Sequence, residues 1–202
     1  MYIPELNKVE DQKEIFDFIK RFSFGTMITS ENDIPVANHL PFHVEVTDGK
    51  LLLTSHMARA NEQWKHLVDK NVLVTFSEPH AYISPSNYEK HETVPTWDYI
   101  SVHVYGKVNL LEGYDSQIIV LEKMINQFDQ GYQKQWTEIS KEYKQKLAEE
   151  LVAFELIPYD IQGKKKMSQN KSHTEKRNIL SSLANGESRS GQLMAEYMKD
   201  EI

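Results

Sequence analysis

Apolar residues recur along this chain with two different periods, and the change from one to the other marks out its elements. In residues 11–22, Ile15, Phe16, Ile19 and Phe22 fall at helical spacing and Asp11 stands where an N-cap would. This predicts a first helix. The period then shortens to strand-like runs. Residues 24–30 predict one strand, ended by the turn-forming Glu31-Asn32-Asp33. Residues 35–46 predict a second, in which Pro41 points to an edge or a bulge. Asp48-Gly49 is a hairpin signal, and residues 50–55 predict the third strand. Residues 61–69, with Trp64, Leu67 and Val68 on one face, predict a short helix. A fourth strand at 71–77 leads into a Pro- and Ser-rich loop at 78–92. Residues 96–112 then alternate. Val102, Val104, Val108 and Leu110 share one face, and His103, Tyr105, Lys107 and Asn109 share the other. That is a half-buried antiparallel strand.

The helical period returns downstream. Ile118, Leu121, Ile125 and Phe128 predict a helix at 115–129, and Tyr143, Leu147, Leu151 and Phe154 one at 138–154. Residues 154–157 read as a last strand stopped by Pro158. Residues 173–199 read as helical, interrupted between Gly186 and Gly191. Strands joined by tight turns, without regular alternation with helices, predict a mainly β fold with flanking helices and a helical C-terminal part. The sheet is expected to be antiparallel, Greek-key-like and closed or nearly closed, not doubly wound. The expected division is a barrel domain at 1–160 followed by a polar, basic segment and a helix at 161–202.

Composition narrows the function classes. The chain has 202 residues, of which 40% are hydrophobic, enough for a real core. It has no cysteine, so disulfides and thiolate metal sites are excluded and a reducing compartment is expected. No secretion signal opens the chain, and no apolar run approaches the roughly 20 residues of a membrane helix. A cytoplasmic protein without membrane contact is the expectation. The formal net charge of −7 argues against a nucleic-acid platform. The one local exception is Lys164, Lys165, Lys166, Lys171, Lys176 and Arg177, a candidate DNA patch whose simpler reading is a solvated loop and helix start.

Four segments could carry chemistry. In Leu51-Leu52-Leu53-Thr54-Ser55-His56-Met57-Ala58-Arg59-Ala60-Asn61, a strand ends in hydroxyls and runs toward a helix start with an arginine. Hydroxyls, free backbone N–H groups and a guanidinium fork suit a phosphate, and a capped helix with a surface arginine is the alternative. In Asn38-His39-Leu40-Pro41-Phe42-His43, two histidines share one strand face. No carboxylate or thiolate lies at ligand spacing, so no metal site is assigned, and a histidine beside a ligand cleft is preferred. Residues 79–86 and 94–99 set prolines beside aromatics and hydroxyls, which fits either the grip on a flat ring or an ordered barrel-end loop. Gly163-Lys164-Lys165-Lys166-Met167-Ser168-Gln169-Asn170 is a polar run after a strand, rich in amides and hydroxyls.

Together these segments resemble the PaiB-type family of negative regulators of protease synthesis and sporulation, within the FMN-binding split-barrel superfamily. The resemblance is carried by Met1-Tyr2-Ile3-Pro4, Asn38-His39-Leu40-Pro41-Phe42, residues 56–61 and 80–86, Val94-Pro95-Thr96-Trp97, Val104-Tyr105-Gly106 and Lys166-Met167-Ser168-Gln169-Asn170, in the family's order. It implies an FMN-binding split β-barrel, a homodimer, and repression of degradative-enzyme synthesis, with DNA or a regulatory protein as further partner. It also implies site positions. Thr54, Ser55 and Arg59 would hold the FMN phosphate, with His56 as a further cofactor-binding position. Asn38, His39, Leu40 and Pro41 would lie along the isoalloxazine edge, and Trp97 and Ser101 would close the slot from the partner subunit. Ala60 stands where related oxidases often carry a second basic residue. Two other functions fit the same resemblance. One is an FMN-dependent oxidoreductase acting indirectly, with His39, His56 or His103 as proton donor. The other is a haem-binding split barrel.

Overall fold

The chain enters through a two-residue strand, β1 (Lys8–Val9), and the predicted first helix, α1 (Gln12–Arg21). Structure is described for residues 1–199 of a computed structural model. Two hairpins follow, each made where the turn signals stand. Asn32 and Asp33 take positive φ of 49° and 64° and reverse the chain between β2 (Phe24–Glu31) and β3 (Ile34–Pro41). Asp48 and Gly49, at 52° and 72°, do the same between β4 (His43–Thr47) and β5 (Lys50–Ala58). Paired positive φ values match the right-handed twist of the flanking strands. The remaining strands are long: β6 (Val72–Ile83), β7 (Thr96–Leu111) and β8 (Leu151–Lys166). Helices α2 (Tyr114–Phe128), α3 (Gln133–Glu138) and α4 (Lys141–Glu149) lie between the last two strands, and α5 (His173–Ala184) and α6 (Arg189–Lys199) follow β8.

The strand order is β3-β2-β6-β7-β8-β5-β4, with β1 pairing β8 off this path, and the pairs β1–β8, β2–β3, β2–β6, β4–β5 and β5–β8 are antiparallel. The path is open. Its ends, β3 and β4, are consecutive in the chain and joined only through Phe42. The sheet therefore curls back on itself, and covalent chain rather than a hydrogen-bonded ladder connects its edges. Pro41 sits at that bend, at the end of an edge strand, where its missing N–H costs nothing.

The residues form two compact units. One comprises Met1–Ile15, Ser77–Val102 and the chain from Gln162 on, and the other comprises Phe16–Phe76 and His103–Ile161. In the second, Met27, Phe42, Leu53, Phe76, Phe154 and Leu156 are wholly buried. Phe42 meets Phe76 and Phe154 edge-on, at centroid distances of 5.7 and 6.4 Å. In the first, α5 begins with a full capping box between Ser172 and Glu175, and Ile179, Met194, Ala195 and Met198 are buried.

Several expected elements differ. The strand predicted at 35–46 is two strands broken at Phe42. β5 runs three residues past Ser55, because His56, Met57 and Ala58 pair with Ala153, Val152 and Leu151. The same pairing takes Leu151 and Phe154 out of the predicted helix, which ends at Glu149. β8 passes through Pro158 instead of stopping there. Its ladder to β5 ends at Leu156, two residues earlier, so the proline removes no hydrogen bond from that pairing. The fourth strand extends to Ile83, and the loop begins only after it. The segment at 61–69 is a 3-10 turn over Glu62–His66. Helix α2 buries Gln117, Val120 and Met124, while the predicted contact residue Phe128 is exposed. The end of the expected 161–202 segment, residues 200–202, lies outside the described residues.

Candidate functional site

The phosphate corner was expected where a strand crosses into a helix. In the structure β5 continues to Ala58, and Arg59 follows in a turn, exposed, two residues before the Asn61 cap of the 3-10 segment. The Arg59 side chain is fixed from behind. Its Nε donates to Glu149 O at 2.6 Å and its Nη2 to Leu151 O at 2.8 Å, while Trp64 Nε1 donates to Arg59 O at 2.9 Å. Two of the five guanidinium hydrogens are thus committed to carbonyls that end α4 and begin β8, and the planar fork is held in one orientation. Thr54 and Ser55 face inward with no exposed surface. Ser55 Oγ donates to Pro41 O at 2.7 Å. Thr54 Oγ1 and His56 Nδ1 are buried and accept or donate no hydrogen bond among the described residues. Burial pushes the His56 imidazole below its usual range, so the ring is neutral at neutral pH.

The proposed ring-side strand is the sheet edge β3, paired with β2 so that Asn38 faces Met27, His39 faces Thr26, Leu40 faces Gly25 and Pro41 faces Phe24. Leu40 is buried, whereas His39 is exposed and stacks on Phe24 at 6.3 Å. Asn38 Nδ2 donates to Gln63 Oε1 at 2.8 Å. Gln63 Nε2 in turn reaches Thr29 Oγ1 and Val36 O, both at 3.1 Å. Sequence reasoning missed Gln63, and nothing around it marks a buried glutamine that clamps the edge hairpin. The two histidines thought to share a face lie on different strands. His43, in β4, stands 3.8 Å from Glu45, and burial together with the nearby Lys123 lowers its pKa. Among the described residues no three metal-ligating side chains gather.

Trp97 and Ser101 belong to the other unit. Trp97 is exposed and packs against His80 and Tyr82, at centroid distances of 5.6 and 6.1 Å. Ser101 is buried. Further along the same strand, Val102, Val104 and Val108 are buried, as the alternation predicts, and Ile100 extends that inward set. Asp98 shares their parity and is wholly buried, a signal that could have singled it out. It lines a cavity of about 280 Å³ with Thr96, Tyr88, Lys166, Ser168 and Pro95 among the walls. The third and fourth segments of the sequence reading thus meet here. Ser168, at a left-handed φ of 54°, donates its Oγ hydrogen to Asp98 Oδ2 at 2.6 Å. Lys166 Nζ donates to Thr96 Oγ1 and to Trp97 O, and stands 3.6 Å from Asp98 Oδ1. Burial raises the Asp98 pKa, and Ser168 and Lys166 oppose that rise.

Residues 1–157 match the family described as "Putative FMN-binding domain". The chain belongs to this FMN-binding-domain family. Within it, the chain is 38% identical over 206 residues to "Protease synthase and sporulation protein PAI 2" of Bacillus subtilis, covering 100% of this chain and 98% of that one. The PaiB-type resemblance is therefore established along the full length. Two solved structures share the fold at low identity. The flavocytochrome Anf3 from Azotobacter vinelandii superposes with a TM-score of 0.60 at 15% identity, over 78% of this chain and 68% of that one. The FAD and heme binding protein from Mycobacterium smegmatis also gives 0.60, at 14% identity, over 79% and 73%.

In this FMN-binding-domain protein the basic cluster near 164–177 is not an open patch. Lys164 is buried, donates to Tyr2 O at 3.2 Å and lies over the Tyr99 ring. Lys165 pairs with Glu14, Lys166 faces Asp98, and Lys171 sits 3.6 Å from the Tyr88 ring centroid. Four of the six cations expected to form a surface are used in internal contacts. No described helix is long and apolar enough to cross a membrane.

Proposed function

We propose that this protein is an FMN-binding split-barrel regulator that acts as a homodimer and represses degradative-enzyme synthesis and sporulation. The observation that carries the reading is the match over essentially the whole length to a protease-synthase and sporulation protein, joined to the family match over residues 1–157. The geometry fits a flavin phosphate through one group above all. Arg59 is exposed, pre-oriented by two carbonyls, and keeps three N–H donors for an anion. Thr54 and Ser55 contribute by shaping the end of β5 from inside, and half-buried His56 stands beside them. Along β3, Asn38, His39, Leu40 and Pro41 offer an edge backbone and the His39–Phe24 stack to a flat ring. Trp97 and Ser101 of a second copy would complete the slot. Support for the dimer comes from the same edge, where Ile34 on β3 and Phe24 on the adjoining β2 are about two-thirds exposed, and β3 has no further strand beside it among the described residues. When bound, FMN supplies hydride and electron transfer. The −7 charge and the internal use of the basic cluster favour a protein partner over DNA as the route to repression.

Arg59→Ala tests the phosphate assignment. Loss of a charge-assisted hydrogen bond is worth about 1.5–3 kcal/mol, so FMN affinity measured by flavin fluorescence should fall by roughly tenfold to a hundredfold. Riboflavin, which has no phosphate, should bind both proteins alike. Equal FMN affinity in the variant would place the phosphate elsewhere. Thermal melts of both proteins separate this effect from lost contacts to Glu149 and Leu151.

A further inference from the structure

Gln63 is buried, and both polar atoms of its side-chain amide are used. Oε1 accepts from Asn38 Nδ2 at 2.8 Å. Nε2 is shared among Thr29 Oγ1 and Val36 O, each at 3.1 Å, and Met27 O at 3.4 Å. These four partners form a pattern. Across the β2–β3 hairpin Met27 faces Asn38, and Thr29 faces Val36. One side chain thus holds both members of two cross-strand pairs, spaced two residues apart along each strand. A buried polar group satisfied in this way fixes a single arrangement, and losing it strands several partners at once. The same residue ends the turn that carries Arg59, with only Ala60, Asn61 and Glu62 between them. That turn is tied to itself. Asn61 N–H donates to Ala58 O at 2.9 Å, Gln63 N–H to Asn61 Oδ1 at 3.1 Å, and Trp64 Nε1 to Arg59 O at 2.9 Å. It is a stiff piece with a guanidinium at one end and an amide lock on β3 at the other.

We propose that Gln63 is a specificity-determining positioning residue: by locking the Arg59 turn to β3 it fixes the span between the phosphate-side and ring-side groups, and so makes the site select a flavin with a phosphate over one without. This role rests on the flavin reading, in which Arg59 meets the phosphate and residues 38–41 meet the ring. Gln63 itself touches neither and acts through the two segments it joins. The physical basis is preorganisation. Two contacts to one ligand reinforce each other when their spacing is set before binding. If the two halves move independently, binding itself has to order them, and much of the second contact is lost.

The test uses the full chain and two variants. Gln63→Met keeps the length of the side chain and removes its amide. Thr29→Val removes one acceptor of that amide at a position outside the proposed flavin contacts. Fluorescence titration gives dissociation constants for FMN and riboflavin in the parent and in each variant, with and without Arg59→Ala. In the parent, Arg59→Ala should weaken FMN by roughly tenfold to a hundredfold. In the Gln63→Met background the same change should weaken it less than about threefold, because the two sites are coupled. The riboflavin-to-FMN ratio of dissociation constants should fall toward one, and Thr29→Val should move it the same way by less. A merely structural defect lowers the folded fraction, which scales both affinities alike and cancels in the ratio. Should Gln63→Met fail to fold, Thr29→Val carries the same comparison. Amide hydrogen exchange without any flavin is the second readout. Exchange on β3 at residues 36–40 should be roughly tenfold faster in the variants, with residues 152–156 unchanged. An unchanged ratio beside an intact Arg59 effect, or unchanged exchange on β3, overturns the proposal and leaves the flavin reading standing. FMN that fails to bind the parent, or binds it without any dependence on Arg59, overturns both.

Discussion

At the residue scale, three histidine rings each keep a buried Nδ1 that makes no hydrogen bond among the described residues: those of His43, His56 and His103. His43, His56 and His103 are all held below the usual imidazole range, with burial the largest cause in each. Folded, these rings resist protonation; unfolded, they titrate near 6.5. As pH falls through that value, the unfolded chain binds more protons than the folded one, and stability is lost. Urea midpoints should therefore be lower at pH 5.5 than at pH 7.5. His56→Gln should show a smaller drop than the parent, because one of the three contributions is gone. Equal drops would mean that the buried ring is solvated. Legibility at this scale was uneven. Arg59 and His56 stand out in a sequence because their types are chemically loaded. Gln63 and Asp98 did not, since their importance comes from burial, and a lone polar residue shows burial only through its parity with apolar neighbours.

Among the elements, those with a clean period were readable, and those buried on both faces were not. Helix α1, strand β7 and the turns at Asn32-Asp33 and Asp48-Gly49 follow from spacing and turn chemistry. The start of β8 does not. Leu151, Val152, Ala153 and Phe154 are all buried, so no alternation marks them as a strand, and their apolar run was absorbed into the preceding helix. What tightens the β7–β8 pair is also invisible to periodicity. A Cβ on Gly106 would lie 2.5 Å from Leu156 Cδ2 and 2.7 Å from the Ile157 carbonyl oxygen. The side chain could move, but the carbonyl belongs to the neighbouring strand. Gly106→Ala should therefore destabilise the fold by about 1–3 kcal/mol, as overpacking does. A chemical denaturation curve unchanged within error would show that the strands part easily at that point.

For the whole molecule, the sequence order of motifs carried more than any one of them. The antiparallel strands, the flanking helices and the family all agree with the reading from residues, while the sheet is open, with β3 and β4 joined through Phe42. The expected phosphate cradle is altered. Its hydroxyls turn inward and its arginine leaves the helix, because the β5–β8 ladder extends the strand to Ala58. Local spacing could not reveal that, since the partner strand lies about a hundred residues away in sequence. The account as a whole stands on flavin binding. The most direct measurement is the absorbance spectrum of the purified full-length protein, with mass spectrometry of any ligand released on denaturation, before and after incubation with FMN. The account predicts flavin bands and released FMN, retained through gel filtration. A colourless protein that takes up no added FMN, or one with a haem Soret band in its place, would contradict it.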